Sequence, residues 1–501
     1  MTNVGAGLAP ARAARPIRAG ERIHVVGIAG AGASAAAILA TRAGAIVTGC
    51  DPGGPSLYTE AVEAAGIPIQ WQHAAEHVTD DPQPERLAVT KALTAVDPDH
   101  PELSAARAAD ISVEPWQQVI ADAAVGRRLI GVAGTHGKST TSGWLVHTLV
   151  AGGLDPSAFV GALLPPDLTD GPPATARWGD GPDFIVEADE YAGNFDAYRP
   201  DIAILTSAEW DHPDVFTDAD AVASAFAAWL GRAPDGATLV ANVADAGVES
   251  VLGRLRDPLA TVRYAVVEDW ADAARRQADI AGRITAADAD GTTVEIRGLA
   301  VGADPVIVRL ASAGRHNAAD ALAVAGAARA TGLDAAAIAS GLASFQGVGR
   351  RLERKGAVAG VVVYDDYAHH PTAIRETLRA IRQREPERRV WAVYEPLTYH
   401  RTAALLDGFA EALAEADAVA IADIWAGRDP DTTIASAQGL ADAVSARRPD
   451  MTVAAPGSVE ATAAWLAHEV GPRDAVLVMG GGRSYRIGEL LLEALAAREP
   501  R

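Results

Sequence analysis

The stretch "RLIGVAGTHGKSTTSGW" (128–144) restricts the fold more than any other part of the chain. An apolar run of strand length passes into Gly134-Thr135-His136-Gly137-Lys138-Ser139-Thr140, and an apolar helical pattern follows. A phosphate-binding loop needs this order, because its consecutive backbone N–H groups and the helix N-terminus together cradle anionic oxygens. A buried strand that feeds a helix in this way belongs to a parallel α/β sheet. The common loop carries a glycine five residues before its Gly-Lys-Ser, where this chain has Val132. The loop is therefore a shorter one beginning at Gly134, with Lys138 set to neutralise β/γ-phosphate charge and the Ser139 hydroxyl set to bind Mg²⁺.

The same alternation of short β-branched runs with Ala-rich helical stretches extends almost from end to end, which is the α/β signature. A chain of 501 residues is too long for one core, so two to four domains are expected. We read residues 1–20 as a disordered tail and 21–126, 127–346 and 347–501 as three α/β domains. In the central domain, residues 260–310 read as antiparallel strands. In the last domain, "GVVVYDDY", "RVWAVYE", "AVAIADI" and "AVLVMGGG" read as a four-stranded parallel sheet.

The formal charge of −22 argues against a general role on nucleic acid or an acidic membrane surface. Anionic substrates stay possible where local cations and helix N-termini offset that field. The single cysteine, Cys50, is read to mean no intramolecular disulfide and no Cys-based zinc site, in keeping with a reducing cytoplasm. Neither a signal peptide nor a membrane span is expected.

Five further segments carry chemistry. Gly27, Gly30 and Gly32 form a strand-to-helix turn that lets backbone approach a pyrophosphate, and Asp51 ends the next strand where an acid can reach a ribose. The glycine spacing is not the strict dinucleotide pattern. "VEADEYAGNF" sets Glu187, Asp189 and Glu190 at a strand end, and Glu187 is the expected Mg²⁺ ligand. In "SAEWDHPDVF", His212 follows a strand and can approach the same phosphates. Asn317 opens a helix, as a cap or as a nucleotide contact. Arg350 and Arg351 precede a strand that ends in Asp365 and Asp366, where α/β sheets carry ligands.

Taken in order, "GTHGKSTT", "EADE", "DH", "RHN" and "GRR…DDYAHHP" resemble the Mur ligase family of ATP-dependent amide-forming enzymes of peptidoglycan precursor synthesis. The resemblance covers nearly the whole chain after the tail. It implies that the three domains are Rossmann-like, P-loop-type ATPase and Rossmann-like in turn, and that they bind a UDP-sugar, ATP and an amino acid. It places Gly134–Thr140, Asn317, Asp365 and Asp366 around ATP, and Gly27, Gly30, Gly32 and Asp51 around the UDP moiety of UDP-N-acetylmuramate. Ser139, Glu187 and His212 become ligands of two Mg²⁺ ions. Lys138, Glu187, His212, Arg350 and Arg351 become the catalytic set, with Tyr367, His369 and Arg401 near the amino acid or acyl phosphate. "GIAGAGASA" and "YEPLTYHRT" look like the alanine-adding branch, and residues 206–240 lack the lysine that other branches carbamylate. Tyr191 and "EWDHPDVF" look instead like a ligase that takes a murein tripeptide. The expected assembly is a monomer or weak homodimer. Two other classes stay open: an NAD-dependent oxidoreductase using the N-terminal glycines, and a non-catalytic UDP-sugar-binding protein.

Overall fold

The computed structural model describes residues 4–300, 304–427, 429 and 431–498. Three sheets follow one another along the chain. In the first, Arg22–Val26 lies at the centre, flanked by Ile46–Cys50 and Arg86–Val89, with Ile69–Gln70 and Ser112–Pro115 outermost. All its pairings are parallel. The helix Ala31–Arg42 follows the first strand, and its alanines let it pack tightly. At Gly32 an added Cβ would come within 2.2 Å of the Trp116 ring, so the absent side chain leaves room for that tryptophan.

The central sheet has ten strands. An interior strand, Arg128–Ala133, pairs in parallel with Ile202–Leu205 on one side and Asp183–Glu187 on the other. The chain segments leaving these three neighbouring strands carry the phosphate loop, the Glu187–Glu190 acids and the Asp211-His212 pair. They therefore meet at one carboxyl edge, where open α/β sheets carry ligands. The expected antiparallel strands of 260–310 are only partly antiparallel. Ala260–Val267 pairs in parallel with both neighbours, and Ile280–Asp288, Gly291–Arg297 and Val306–Leu310 form the antiparallel edge.

The last sheet has six strands, ordered Glu353–Val358, Val361–Asp366, Asp474–Gly480, Arg389–Glu395, Ala418–Ala422 and Thr452–Gly457. The four expected strands are the inner ones. Glu353–Val358 adds an antiparallel edge, and Thr452–Gly457 a parallel one.

Residues 4–20 are not a disordered tail; residues 1–3 lie outside the described residues. Arg12 pairs with Glu114 at 3.0 Å and with Asp122 at 2.8 Å, and Arg15 pairs with Glu21 at 2.7 Å. The same acids hold the buried Arg86. Buried carboxylates need such partners, and the N-terminal arginines supply them.

Candidate active site

Gly137 caps the helix Lys138–Ala151 in the left-handed conformation, with φ +80°. A Cβ there would lie 2.5 Å from an Asp320 oxygen. Gly134 has φ +137°, and a Cβ on it would meet the Thr206 hydroxyl at 2.1 Å. Both glycines are therefore required by geometry as well as by turn preference. The loop is tied to the next strand's segment as well. The Thr135 hydroxyl donates to the Glu209 carbonyl at 3.0 Å and accepts from the Glu209 N–H at 2.8 Å. The His136 N–H donates to the Ser207 hydroxyl at 2.9 Å.

Lys138 folds back over this loop. Its ammonium donates to the Gly134 carbonyl at 2.6 Å and to Glu190 at 2.9 Å, with Asp189 at 3.8 Å. Burial works against the charge, but the Glu190 and Asp189 carboxylates outweigh it, and the ammonium is held above its ordinary value. Glu187 accepts from the Ser139 hydroxyl at 3.0 Å and from the Gly161 N–H at 2.6 Å. The two hard oxygen donors expected around Mg²⁺ thus already lie side by side, and they suit that ion.

His212 has φ +55° and lies beside Asp189 and Glu190, with ligand atoms of all three within 4.8 Å of one another. Burial lowers its pKa to about 4, so the ring is neutral. Arg401 donates to His212 Nδ1 at 3.0 Å and to Asp211 at 2.7 Å. A neutral ring that accepts at Nδ1 carries its proton on Nε2. In this arrangement Arg401 occupies Nδ1 and the proton sits on Nε2, so His212 can ligate an ion only once Arg401 releases Nδ1.

The third sheet's carboxyl edge faces the loop. The two arginines divide their roles. Arg350 is buried, pairs with Asp365 at 3.0 Å, and donates to the Gly480 carbonyl and the Ser484 hydroxyl, each at 2.9 Å. It fixes its own domain. Arg351 crosses to the central domain and donates to the Ser139 hydroxyl at 2.7 Å. Asp366 accepts from the Leu352 N–H at 2.7 Å and the Ala368 N–H at 2.8 Å, which shapes the strand-end turn. Asn317 donates to the Ala313 carbonyl at 2.7 Å, closing the start of its helix.

Most of these groups line one cleft of about 1340 Å³ that also takes in Ala31, Gly32, Leu57, Thr140, Tyr367 and His369. Gly27, Gly30, Asp51, Gly134 and Glu190 lie outside its walls. Gly27 has φ +77°, and Asp51 accepts from the Ala29 N–H at 3.2 Å and the Gly53 N–H at 2.8 Å, so this acid shapes its own turn.

With this geometry in place, likeness to known proteins decides the lineage. The Mur ligase family's catalytic domain matches residues 22–128, its middle domain residues 132–328, and its glutamate ligase domain residues 350–482. The chain belongs to the Mur ligase family. Among its Mur ligase relatives is the UDP-N-acetylmuramate–L-alanine ligase of Kineococcus radiotolerans, 37% identical over 95% of this chain and 97% of that protein. The enzyme of the same description from a Roseiflexus species is 36% identical over 94% and 98%. Among solved structures, the UDP-N-acetylmuramate–alanine ligase of Thermotoga maritima superposes with a TM-score of 0.76 at 23% identity, over 95% of this chain and all of that one. A murein peptide ligase from Psychrobacter arcticus gives 0.71 at 25%, over 96% and all of it.

Sequence reasoning missed several residues that complete this Mur ligase cleft. Glu209 accepts from the Thr372 hydroxyl at 2.7 Å and lies 2.8 Å from His136 Nε2, while His370 Nε2 lies 3.2 Å from the Trp210 carbonyl. Asn194 donates to Asp189 at 2.7 Å. Lys91, from the first domain, donates to the Ala192 and Gly193 carbonyls, both at 2.8 Å. The "HHP" of 369–371 carried a signal, since a histidine before a helix-opening proline is placed to cap that helix; here His370 does so through the Thr372 N–H. Lys91 and Asn194 carried none.

Proposed function

We propose that this protein joins L-alanine to the lactyl carboxylate of UDP-N-acetylmuramate at the expense of ATP, forming a peptidoglycan precursor. The observation that carries this reading is the contact of Arg351, from the third domain, with the Ser139–Glu187 pair of the phosphate loop. It sets cations on both sides of the point where two anions must meet. The choice of alanine rests on relatives 36–37% identical over nearly the whole chain.

A carboxylate is a poor acyl donor because oxide would have to leave. In the proposed sequence a carboxylate oxygen attacks the γ-phosphorus, the bond to ADP breaks, and an acyl phosphate forms. The amine nitrogen then attacks the acyl carbon and phosphate leaves. Lys138 and the Gly134–Thr140 amides hold the β/γ-phosphates, with Asn317, Asp365 and Asp366 around the nucleotide. Ser139 and Glu187 would hold one Mg²⁺, and His212 a second once freed from Arg401; ions held there would supply positive charge against the phosphoryl oxygens. Arg351 bears on the transferring group, Arg350 positions it, and Tyr367, His369 and Arg401 line the amine side. The turn Gly27–Gly32, with its helix N-terminus, is assigned to the UDP moiety. The assembly proposed with this reading is a monomer or weak homodimer.

A second reading, transfer of a murein tripeptide, is favoured by Tyr191, whose ring lies 4.8 Å from that of His212 and whose hydroxyl donates to Asp214 at 3.0 Å. One experiment separates the readings: incubation with ATP, Mg²⁺ and UDP-N-acetylmuramate plus L-alanine, L-serine, glycine or the tripeptide, recording phosphate release and product mass. Release with L-alanine alone is the expected result, and release with the tripeptide alone would replace the reading. No release with any amine would point to a non-catalytic binder, and binding of NAD in place of the UDP-sugar to an oxidoreductase.

A further inference from the structure

The first domain contains a buried cluster that the ligase reaction does not use. His24 and Cys50 lie on neighbouring parallel strands, with His24 opposite Thr48 and Val26 opposite Cys50, so both side chains leave the sheet on one face. Two short helices close over that face, Glu76–Thr79 bringing His77 and Pro101–Ala108 bringing Glu102. His24 Nε2 is 3.4 Å from Cys50 Sγ and 3.9 Å from Glu102 Oε1. The Cys50 thiol is 3.0 Å from Glu102 Oε1, and His77 Nδ1 is 2.5 Å from the same oxygen. One ligand atom from each of the four lies within 4.8 Å of the others.

We infer that His24, Cys50, His77 and Glu102 form a structural site for a thiophilic divalent cation of the Zn²⁺ type. A tetrahedral zinc site with mixed N, S and O ligands has donor–donor edges of roughly 3.3–3.6 Å. The observed separations bracket that range, and the two hydrogen-bonded pairs need to spread by about an ångström or less. Two independent features point to a ligand. Thr48 Oγ1 lies 2.8 Å from His24 Nδ1, which fixes the ring and leaves Nε2 facing the cluster, as the outer partners of metal-bound histidines do. His100 is 1% exposed, yet both its ring nitrogens and the Glu102 Oε2 that it faces at 3.5 Å lack a hydrogen-bond partner. Buried polar atoms are rarely left so. His73 Nδ1 lies 3.3 Å from Cys50 Sγ and 3.4 Å from Glu102 Oε2, completing a second layer.

Charge favours the same conclusion. Glu102 is fully buried, and a divalent ion bound by one carboxylate and one thiolate makes a neutral site. This revises the sequence expectation of no Cys-based zinc site, because the fold gathers two histidines and one carboxylate around the single thiol. A separate cleft of about 560 Å³, lined by His24, Thr48, Ala74 and His77, gives an ion its way in. None of His24, Cys50, His77 and Glu102 lines the nucleotide cleft. The ion would tie both short helices to the sheet where a disulfide cannot.

The test uses the full chain, stripped with a chelator and titrated with Co²⁺ in excess Mg²⁺. A thiolate-to-cobalt charge-transfer band in the near ultraviolet, saturating at one equivalent, is expected, and its absence overturns the site. One equivalent of Zn²⁺ should raise the melting temperature by about 5 °C. That shift should vanish in Cys50→Ser and Glu102→Gln, and an undiminished shift in both assigns the ion elsewhere. The wild-type cobalt spectrum decides the matter even where a variant fails to fold.

Discussion

At the scale of single residues, the phosphate loop makes the sharpest demands. Replacing Lys138 with alanine removes the ammonium that folds over the loop and leaves Glu190 buried without that cation. Phosphate release should fall by about 10²-fold or more, as expected when a preorganised charge acts mainly on the transition state. Near-normal release in that variant would remove Lys138 from the mechanism. Asp320, behind Gly137, makes a different demand. Burial raises its pKa to about 7 from the ordinary 3.8. The folded state then keeps a proton that the unfolded chain has released. Its contribution to stability is therefore full below about 3.8 and is lost as pH climbs through about 7. Measured against Asp320→Asn in urea, the wild type should lose relative stability between pH 4 and pH 7. A constant difference across that window would show that Asp320 is already ionised in the fold.

At the scale of elements, packing explains both what was readable and what was not. The strand that feeds the phosphate loop, its helix, and the strands ending in Glu187 and before Asp211 were legible because each apolar run stops abruptly at polar residues. Such a boundary is local, and it marks the carboxyl edge of a sheet. The strands Ala174–Arg177 and Glu353–Val358 left no such mark. The first is four residues long, and the second mixes half-exposed and exposed positions, none of them buried, at a sheet edge. Partners far apart in the chain were also invisible. Arg401 and His212 are 189 residues apart, and Arg12 finds Glu114 across 102. The N-terminal arginines looked like tail because their acids lie on other elements. Packing also yields a prediction for the helix Ala31–Arg42. Gly32→Ala places a methyl where the Trp116 ring lies, and Trp116 in turn stands 5.3 Å from Phe159 of the central domain. Overpacking of this kind costs about 1–3 kcal/mol. Urea titration should show that loss with secondary structure intact, and an unchanged midpoint would mean that Trp116 has room to move.

At the scale of the whole molecule, the two inter-domain seams differ in chemistry. The first and central domains share one apolar cluster that runs from Ile23 through Ala36 and Val119 to Phe159 and Ala176. The third domain keeps its own two apolar clusters and meets the central domain largely through polar side chains. Arg351 reaches Ser139, Thr372 reaches Glu209, and Gln383 reaches Gly291 and Thr292. A polar seam releases more readily than an apolar one, so the third domain is the mobile partner in any opening of the cleft. Arg401 is the most deeply buried cation across that seam, paired with a buried Asp211 whose carboxyl is held well below its usual range against the pull of burial. Removing one partner of such a pair costs about 3–5 kcal/mol if the seam stays closed, because Asp211 is then buried and unpaired. Opening the seam lets water reach that carboxylate and avoids the cost. Arg401→Ala should therefore widen the molecule: X-ray scattering should give a larger radius of gyration while far-ultraviolet dichroism stays unchanged, and amide formation should fall as the cleft loses its third wall. Addition of ATP and UDP-sugar should recover part of the compaction, since ligands that bridge the seam favour the closed form. An unchanged radius together with unchanged turnover would place the closing force elsewhere, in Arg351 and the Gln383 contacts.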